Sequence, residues 1–271
     1  MDNPQMIETI SDQLMNARKT ATPLREFPVS LPQDAETAYA IQHRSIRHWP
    51  GTLAGFKVGG IAPQFRDQFG ANWLAGAVFS DEIFQIGDGE TKDADVFAGG
   101  FAAFEPEWIF VLDNLDWSKL EAVNVDGARD MVSRVHMGME IASSPMPMIN
   151  DLGPGAIISD FGNNTSVWIG PEADLSMLTA LDSVEVRTVI DGTLVGEKSA
   201  ASGSDGPLGA LTFLINHLLD LRDELELPTT LYVSSGAVTG VHDSVIGALG
   251  VIEFDGIGRF GLNLIEKSPT V

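Results

Sequence analysis

The densest chemistry in the chain is Phe104-Glu105-Pro106-Glu107-Trp108-Ile109-Phe110-Val111-Leu112. Residues i and i+2 of a strand share a face, so Glu105 and Glu107 project together. Side-by-side carboxylates repel and raise each other's pKa. A hard divalent ion such as Mg²⁺ or Mn²⁺, which takes oxygen ligands, removes that penalty. An isolated Glu-x-Glu more often lies on the solvated face of an amphipathic strand, so the pair needs a third acid to mean more. Glu140, in the Met-rich run His136-Met137-Gly138-Met139-Glu140-Ile141, is the candidate. An acid in such a setting is costly unless it is paired or liganded.

Lys57 sits in the glycine-flanked apolar run Leu53-Ala54-Gly55-Phe56-Lys57-Val58-Gly59-Gly60. Two readings stand: a side chain that snorkels to the surface, or a partly desolvated ammonium facing a pocket for an anionic substrate. Asp81 and Asp160 each end an apolar run at a polar turn, and turn chemistry alone accounts for either.

The chain has 271 residues and is 44% hydrophobic, enough for one large domain or two small ones. A formal net charge of −22 argues against nucleic acid and anionic membranes as partners, since both select for Lys/Arg patches. Zero cysteines excludes disulfides, thiolate catalysis and Cys-ligated metals. The N-terminus carries neither a basic nor an apolar targeting segment, and no stretch is long enough to span a bilayer. A cytoplasmic location is the default expectation.

The elements that must hold these residues follow from periodicity. Apolar positions at helical spacing predict a helix over 5–19, and Asp34 is the expected N-cap of a second helix through Trp49. Residues 1–50 thus read as a small helical N-terminal lobe and 51–271 as a β-rich domain that holds all the residues singled out above. Further helices are expected over 125–134, with Asp126 as cap, and over 207–225. Gly203-Ser204-Asp205-Gly206 lacks the Lys and spacing of a P-loop and reads as a loop and cap. Asp191-Gly192 and Asp255-Gly256 mark hairpins, and residues 231–237 a strand that ends in small polar residues. The fold class expected is α+β, a mixed sheet with helices packed outside.

An ordered series is more specific than any single piece. It runs Ala38-Tyr39-Ala40-Ile41-Gln42, Gly55-Phe56-Lys57-Val58-Gly59, Gly76 to Phe79-Ser80-Asp81, Glu105-Pro106-Glu107-Trp108, Met139-Glu140-Ile141 and Asp160. Ser199-Ala200-Ala201, Gly206-Pro207-Leu208-Gly209-Ala210 and Ser235-Gly236-Ala237 complete it. Over about residues 35–265 this resembles the 2-oxopent-4-enoate hydratase and 4-oxalocrotonate decarboxylase group of the fumarylacetoacetate hydrolase superfamily.

The resemblance implies a rolled, mixed β-sheet with a helical N-terminal lobe and Mg²⁺ or Mn²⁺ at the mouth of the roll. It implies Glu105, Glu107 and Glu140 as metal ligands, Lys57, Asp81 and Asp160 as catalytic residues, and Phe79 and Ser235 as substrate contacts. The activity implied is hydration of a 2-hydroxy-2,4-dienoate to a 4-hydroxy-2-oxoacid, as in meta-cleavage catabolism of aromatics. The alternatives are decarboxylation of a 2-oxo-enedioate, or a non-catalytic oxoacid-binding partner of such a decarboxylase. Hydrolytic C–C cleavage ranks lower, because His43, His48, His136, His217 and His242 do not fall in the expected motif. A homo-oligomer is expected by resemblance alone, with a complex with a related decarboxylase as a further expectation. The chain departs from the pattern at Gly59-Gly60-Ile61-Ala62, at Ser143-Ser144-Pro145 and at Phe161 after Asp160. Those departures imply altered recognition of the substrate's carboxylate.

Overall fold

The computed structural model describes residues 4–199 and 206–270. Seven helices lie among them: α1 Pro4–Thr20, α2 Ala35–His48, α3 Pro63–Phe69, α4 Val125–Asp130, α5 Ile149–Leu152, α6 Pro154–Ser159 and α7 Gly206–Leu221. The strands are β1 Leu53–Gly60, β2 Trp73–Phe79, β3 Ile83–Gln85, β4 Thr91–Val96, β5 Phe101–Leu112, β6 Arg134–Ser144 and β7 Asn164–Ala173. They continue as β8 Glu185–Ile190, β9 Thr193–Ser199, β10 Leu231–Ser234, β11 His242–Asp243, β12 Leu249–Phe254 and β13 Gly258–Glu266.

One sheet runs β2-β1-β10-β5-β6-β7-β3, with β11 pairing β5 beyond β10; the other runs β4-β13-β12-β8-β9. Both mix parallel and antiparallel pairs, so the α+β roll expected from the sequence is the fold observed. The larger sheet curls on itself. Val78 of β2 shares an apolar cluster with Ile109 of β5 and with Val167 and Ile169 of β7, although these strands are well separated in sheet order. That contact defines an inner face.

Period-two alternation then assigns every side chain. On β5 the even-numbered Phe104, Trp108, Phe110 and Leu112 face outward into the main core, where the Trp108 ring meets Phe254 of the second sheet edge-on at 5.0 Å. The odd-numbered Ala103 and Ile109 face inward, and Glu105 and Glu107 lie between them. β5 and β6 are buried on both faces, which is why their sequences read as near-continuous apolar runs.

The two N-terminal helices pack against each other, and Ile10, Leu14 and Ile41 share a core with Phe101, Ala103 and Ala142 of β5 and β6. Asp34 caps α2 as expected, accepting from the Thr37 amide at 2.8 Å. The helix expected over 125–134 is shorter: Asn124, not Asp126, accepts from Gly127, and Arg134 already belongs to β6. Pairing with Val111 captures that end of the segment. α7 likewise stops at Leu221 rather than Leu225, in a turn closed by the Leu225 amide on the Leu221 carbonyl. Asp191 and Gly192 adopt φ of 49° and 79° and join β8 to β9 as the hairpin signal required. The motif residues Ala200 and Ala201 and most of the loop at 203–206 lie outside the described residues. Among the described residues, no helix is long and apolar enough to cross a membrane.

Candidate metal centre

Four charged side chains converge on the inner face from three strands. β5 contributes Glu105 and Glu107, β6 contributes Glu140 directly opposite Glu105, and β1 contributes Lys57. All are buried, with Glu107 and Glu140 fully so. One carboxylate oxygen from each glutamate lies within 4.8 Å of the other two. Lys57 Nζ stands 3.2 Å from Glu140 Oε1 and 3.5 Å from Asn163 Oδ1.

Three carboxylates against one ammonium leave an excess of negative charge among buried side chains, which is unfavourable unless a cation joins them. The electrostatics record this. Burial first, then the neighbouring Glu105 charge, pushes the Glu107 carboxyl up to about 8. Burial raises Glu140 well above the usual range despite the lysine beside it. Burial alone would lower the Lys57 ammonium, but the three glutamates together, Glu140 foremost, raise it above its ordinary value.

Hydrogen bonding leaves the same atoms free. Glu107 Oε2 accepts from Ser234 Oγ at 2.6 Å and from the Gly236 amide at 2.8 Å, whereas Oε1 has no partner. Neither Glu140 oxygen accepts an aligned hydrogen bond; the lysine contact is an ion pair without hydrogen-bond alignment. Orphaned anionic oxygens at this spacing fit a hard divalent ion, and the all-oxygen donor set suits Mg²⁺ or Mn²⁺.

Lys57 and Glu105 bring the cluster to the wall of a cavity of about 520 Å³, with Glu107 and Glu140 buried behind them. Lys57, Glu105 and Ser235 line it, together with Arg66, Trp73 and Asn163. The Ser235 hydroxyl is buried and unpartnered.

Three of the expected site residues are elsewhere. Phe79 is a core residue, because alternation along β2 turns it away from the inward-facing Gly76 and Val78; its ring packs on Trp49 and Phe161. Asp81 is exposed in the 3₁₀ turn after β2, at a separate small cleft shared with Lys19 and Lys267. In that cleft the perturbed acid is its neighbour Glu82, raised to about 7 by burial. Asp160 is buried in an ion pair with Arg18 at 2.5 Å and does not line the cavity. The expectation that Asp81, Asp160 and Phe79 join Lys57 in one pocket is thereby corrected.

Sequence reasoning missed Arg66, Asn150 and Asn163, all of which line the cavity. Arg66 was visible as the one cation between Phe65 and Phe69, and Asn163 lay in the polar turn after Asp160. The serines at the departures have structural partners: Ser143 Oγ donates to the Phe101 carbonyl, and Ser144 Oγ donates to Asp160. Of the histidines, His43 and His217 flank the Tyr39 ring, and burial lowers both to about 4.

No protein-family model matches the sequence, and no curated protein matches it. Solved structures do. 4-Oxalocrotonate decarboxylase from Pseudomonas putida G7, complexed with magnesium and adipate, superposes with a TM-score of 0.77 at 17% identity, covering 98% of this chain and 99% of that one. The same enzyme complexed with calcium and acetate gives 0.76 over the same shares. Fumarylpyruvate hydrolase from Pseudomonas aeruginosa, in complex with Mn²⁺ and pyruvate, gives 0.55 at 13% identity over 80% of this chain and 91% of that one. The chain has the fold of these proteins, the rolled mixed sheet that the sequence resemblance implied.

Proposed function

We propose that this protein is a divalent-metal-dependent lyase acting on a short unsaturated 2-oxoacid, as in the catabolism of aromatic compounds. The observation that carries the proposal is the buried triad of Glu105, Glu107 and Glu140, in which oxygens of Glu107 and Glu140 accept no hydrogen bond, beside a buried Lys57 that lines a cavity together with Glu105. The decarboxylase with which the chain shares its fold end to end was solved with magnesium and a dicarboxylate. A bound Mg²⁺ or Mn²⁺ supplies Lewis acidity toward a 2-oxo-carboxylate chelate.

The chain's own residues do the rest. Lys57 stays protonated at neutral pH and stabilises negative charge growing on the 2-oxo oxygen. The free Ser235 hydroxyl donates to a substrate oxygen, and Trp73 and Leu74 keep water from the conjugated chain.

Of the two lyase reactions, these residues favour decarboxylation of a 2-oxo-enedioate. The bond to the distal carboxylate breaks, CO₂ leaves, and the electron pair moves through the conjugated carbons onto the 2-oxo oxygen. Protonation there gives a 2-hydroxy-2,4-dienoate. This route needs an electron sink and no base to activate water. Among the described residues the cavity lining contains no histidine, and its only acid is Glu105. Arg66 on the wall offers a second cation for the second carboxylate.

Hydration of a 2-hydroxy-2,4-dienoate, the reading favoured by the motif series, uses the same enolate. It adds a proton at C5 and water at C4, and so requires in addition a group that takes a proton from water. The test is to supply metal-loaded protein with 2-oxo-3-hexenedioate and, separately, with 2-hydroxy-2,4-pentadienoate. CO₂ release from the first supports decarboxylation, and loss of the dienol absorbance of the second supports hydration. Neither reaction in a protein that binds Mn²⁺ and oxalate would leave a non-catalytic oxoacid binder.

A further inference from the structure

Asp160 lies outside the cavity, yet the structure ties it to the cavity's lysine. Arg18 of α1, itself only 3% exposed, grips both ends of one short segment. Its Nε donates to Asp160 Oδ1 at 2.5 Å, its Nη2 to Asp160 Oδ2 at 3.0 Å and to the Asp160 carbonyl at 2.9 Å, and its Nη1 to the Asn164 carbonyl at 2.8 Å. Its guanidinium also sits 5.5 Å over the Phe161 ring.

Between these anchors Phe161, Gly162 and Asn163 all take positive φ, at 52°, 68° and 55°. The left-handed region is unfavourable for the two that carry a Cβ, and such a turn persists only where its surroundings over-determine it. The turn lies against the Lys57 stem: a Cβ on Gly162 would fall 2.8 Å from Lys57 Cδ. Asn163 Oδ1 faces the ammonium at 3.5 Å, while its Nδ2 donates to Asn150 at 3.1 Å.

We infer that the Arg18–Asp160 pair is a positioning device, holding the turn 161–163 against Lys57 so that the ammonium stays beside the glutamate triad. Arg18 and Asp160 are positioning residues and touch no substrate. The inference rests on the reading of Lys57 as the cation beside a metal-chelated oxoacid.

The test is a double-mutant cycle read by binding. Mn²⁺ is titrated into apo protein with and without oxalate, for wild type, Arg18→Met, Lys57→Ala and the double variant. Arg18→Met is expected to bind Mn²⁺ at least as tightly as wild type, since the glutamates sit on β5 and β6 and a loosened Lys57 competes less for Glu140, and to weaken oxalate binding about tenfold. In the double variant oxalate affinity matches that of Lys57→Ala within about twofold, because both changes remove one interaction. Additive losses, or undiminished oxalate binding in Arg18→Met, overturn the inference. Failure of wild type to bind Mn²⁺ instead overturns the metal-centre reading itself. If Arg18→Met does not fold, Asp160→Asn enters the same cycle, because it keeps the side-chain volume while removing the charge that Arg18 grips.

Discussion

Glu105 and Glu140 are register partners, facing each other directly across the β5–β6 ladder, and Glu107 is opposite Gly138. Like charges at directly opposed positions destabilise a sheet. Gly138 leaves no room for relief, since a Cβ there would meet Ile109 Cγ1 at 2.3 Å. The sheet therefore carries a local electrostatic cost that Lys57 beside Glu140 offsets in part and a bound cation or a proton offsets further.

Neutralising one member should reverse the usual trade between stability and function. Glu107→Gln keeps an oxygen for Ser234 and Gly236 but removes a buried charge. Apo protein at pH 8 is expected to gain about 1–4 kcal/mol in denaturant unfolding. The rise in Tm on adding Mn²⁺ should disappear in the same variant.

The pH dependence of apo stability follows with a definite sign. Glu107 has a folded pKa near 8, above its ordinary 4.5, so the folded state holds more protons in that interval and stability falls as pH rises through it. His43 and His217 act oppositely, but only below their unfolded value of 6.5. Between pH 6.5 and 8 the carboxylates remain, and apo stability should drop by up to about 1.4 kcal/mol per pH unit for each proton lost. Saturating Mg²⁺ should abolish or invert that slope; a flat apo profile would contradict the raised carboxyl.

Lys57→Ala separates electrostatic catalysis from metal binding. Turnover is expected to fall about 10²–10³-fold, the range for removing one donor from a developing oxyanion. Mn²⁺ affinity should rise, because the cation that now competes for Glu140 is gone. Loss of metal affinity would assign the lysine a structural role instead.

Arg66 is the handle for distal charge. Its Nε already donates to the Ile61 carbonyl at 2.8 Å, which leaves the outer nitrogens for a ligand. Arg66→Ala should raise KM for a 2-oxo-enedioate about 10–100-fold, the loss of a charge-assisted contact. The inhibition constant of oxalate, which has no distal end, should not move. Equal effects on both ligands would sink the role.

Much of this was legible in the chain. Glu-x-Glu on a strand predicts one shared face whatever the fold, and the buried, Met-rich setting of Glu140 predicts a partner. Asp34 before a helical period and Asp191-Gly192 between strands act within a few residues, so their outcomes survived folding unchanged. The limits of α4 and α7 did not, because Arg134 was claimed by a ladder with β5 that local periodicity does not encode.

What the sequence by itself determined is therefore the set of local geometries and the charge they carry: which residues alternate, which cap, and that acids lie where apolar residues should. What only the tertiary structure decided is which of those acids meet. Asp81, Asp160, Glu105 and Glu140 all sit in or beside apolar runs, and sequence spacing does not rank them. The curl of the larger sheet brings the inward-facing Lys57, Glu105, Glu107 and Glu140 to one point. The same geometry turns Phe79 outward, leaves Asp81 in solvent and hands Asp160 to an arginine 142 residues away. The reason is physical: the sign of a strand face is local, but which faces close on each other is set by packing across the whole chain.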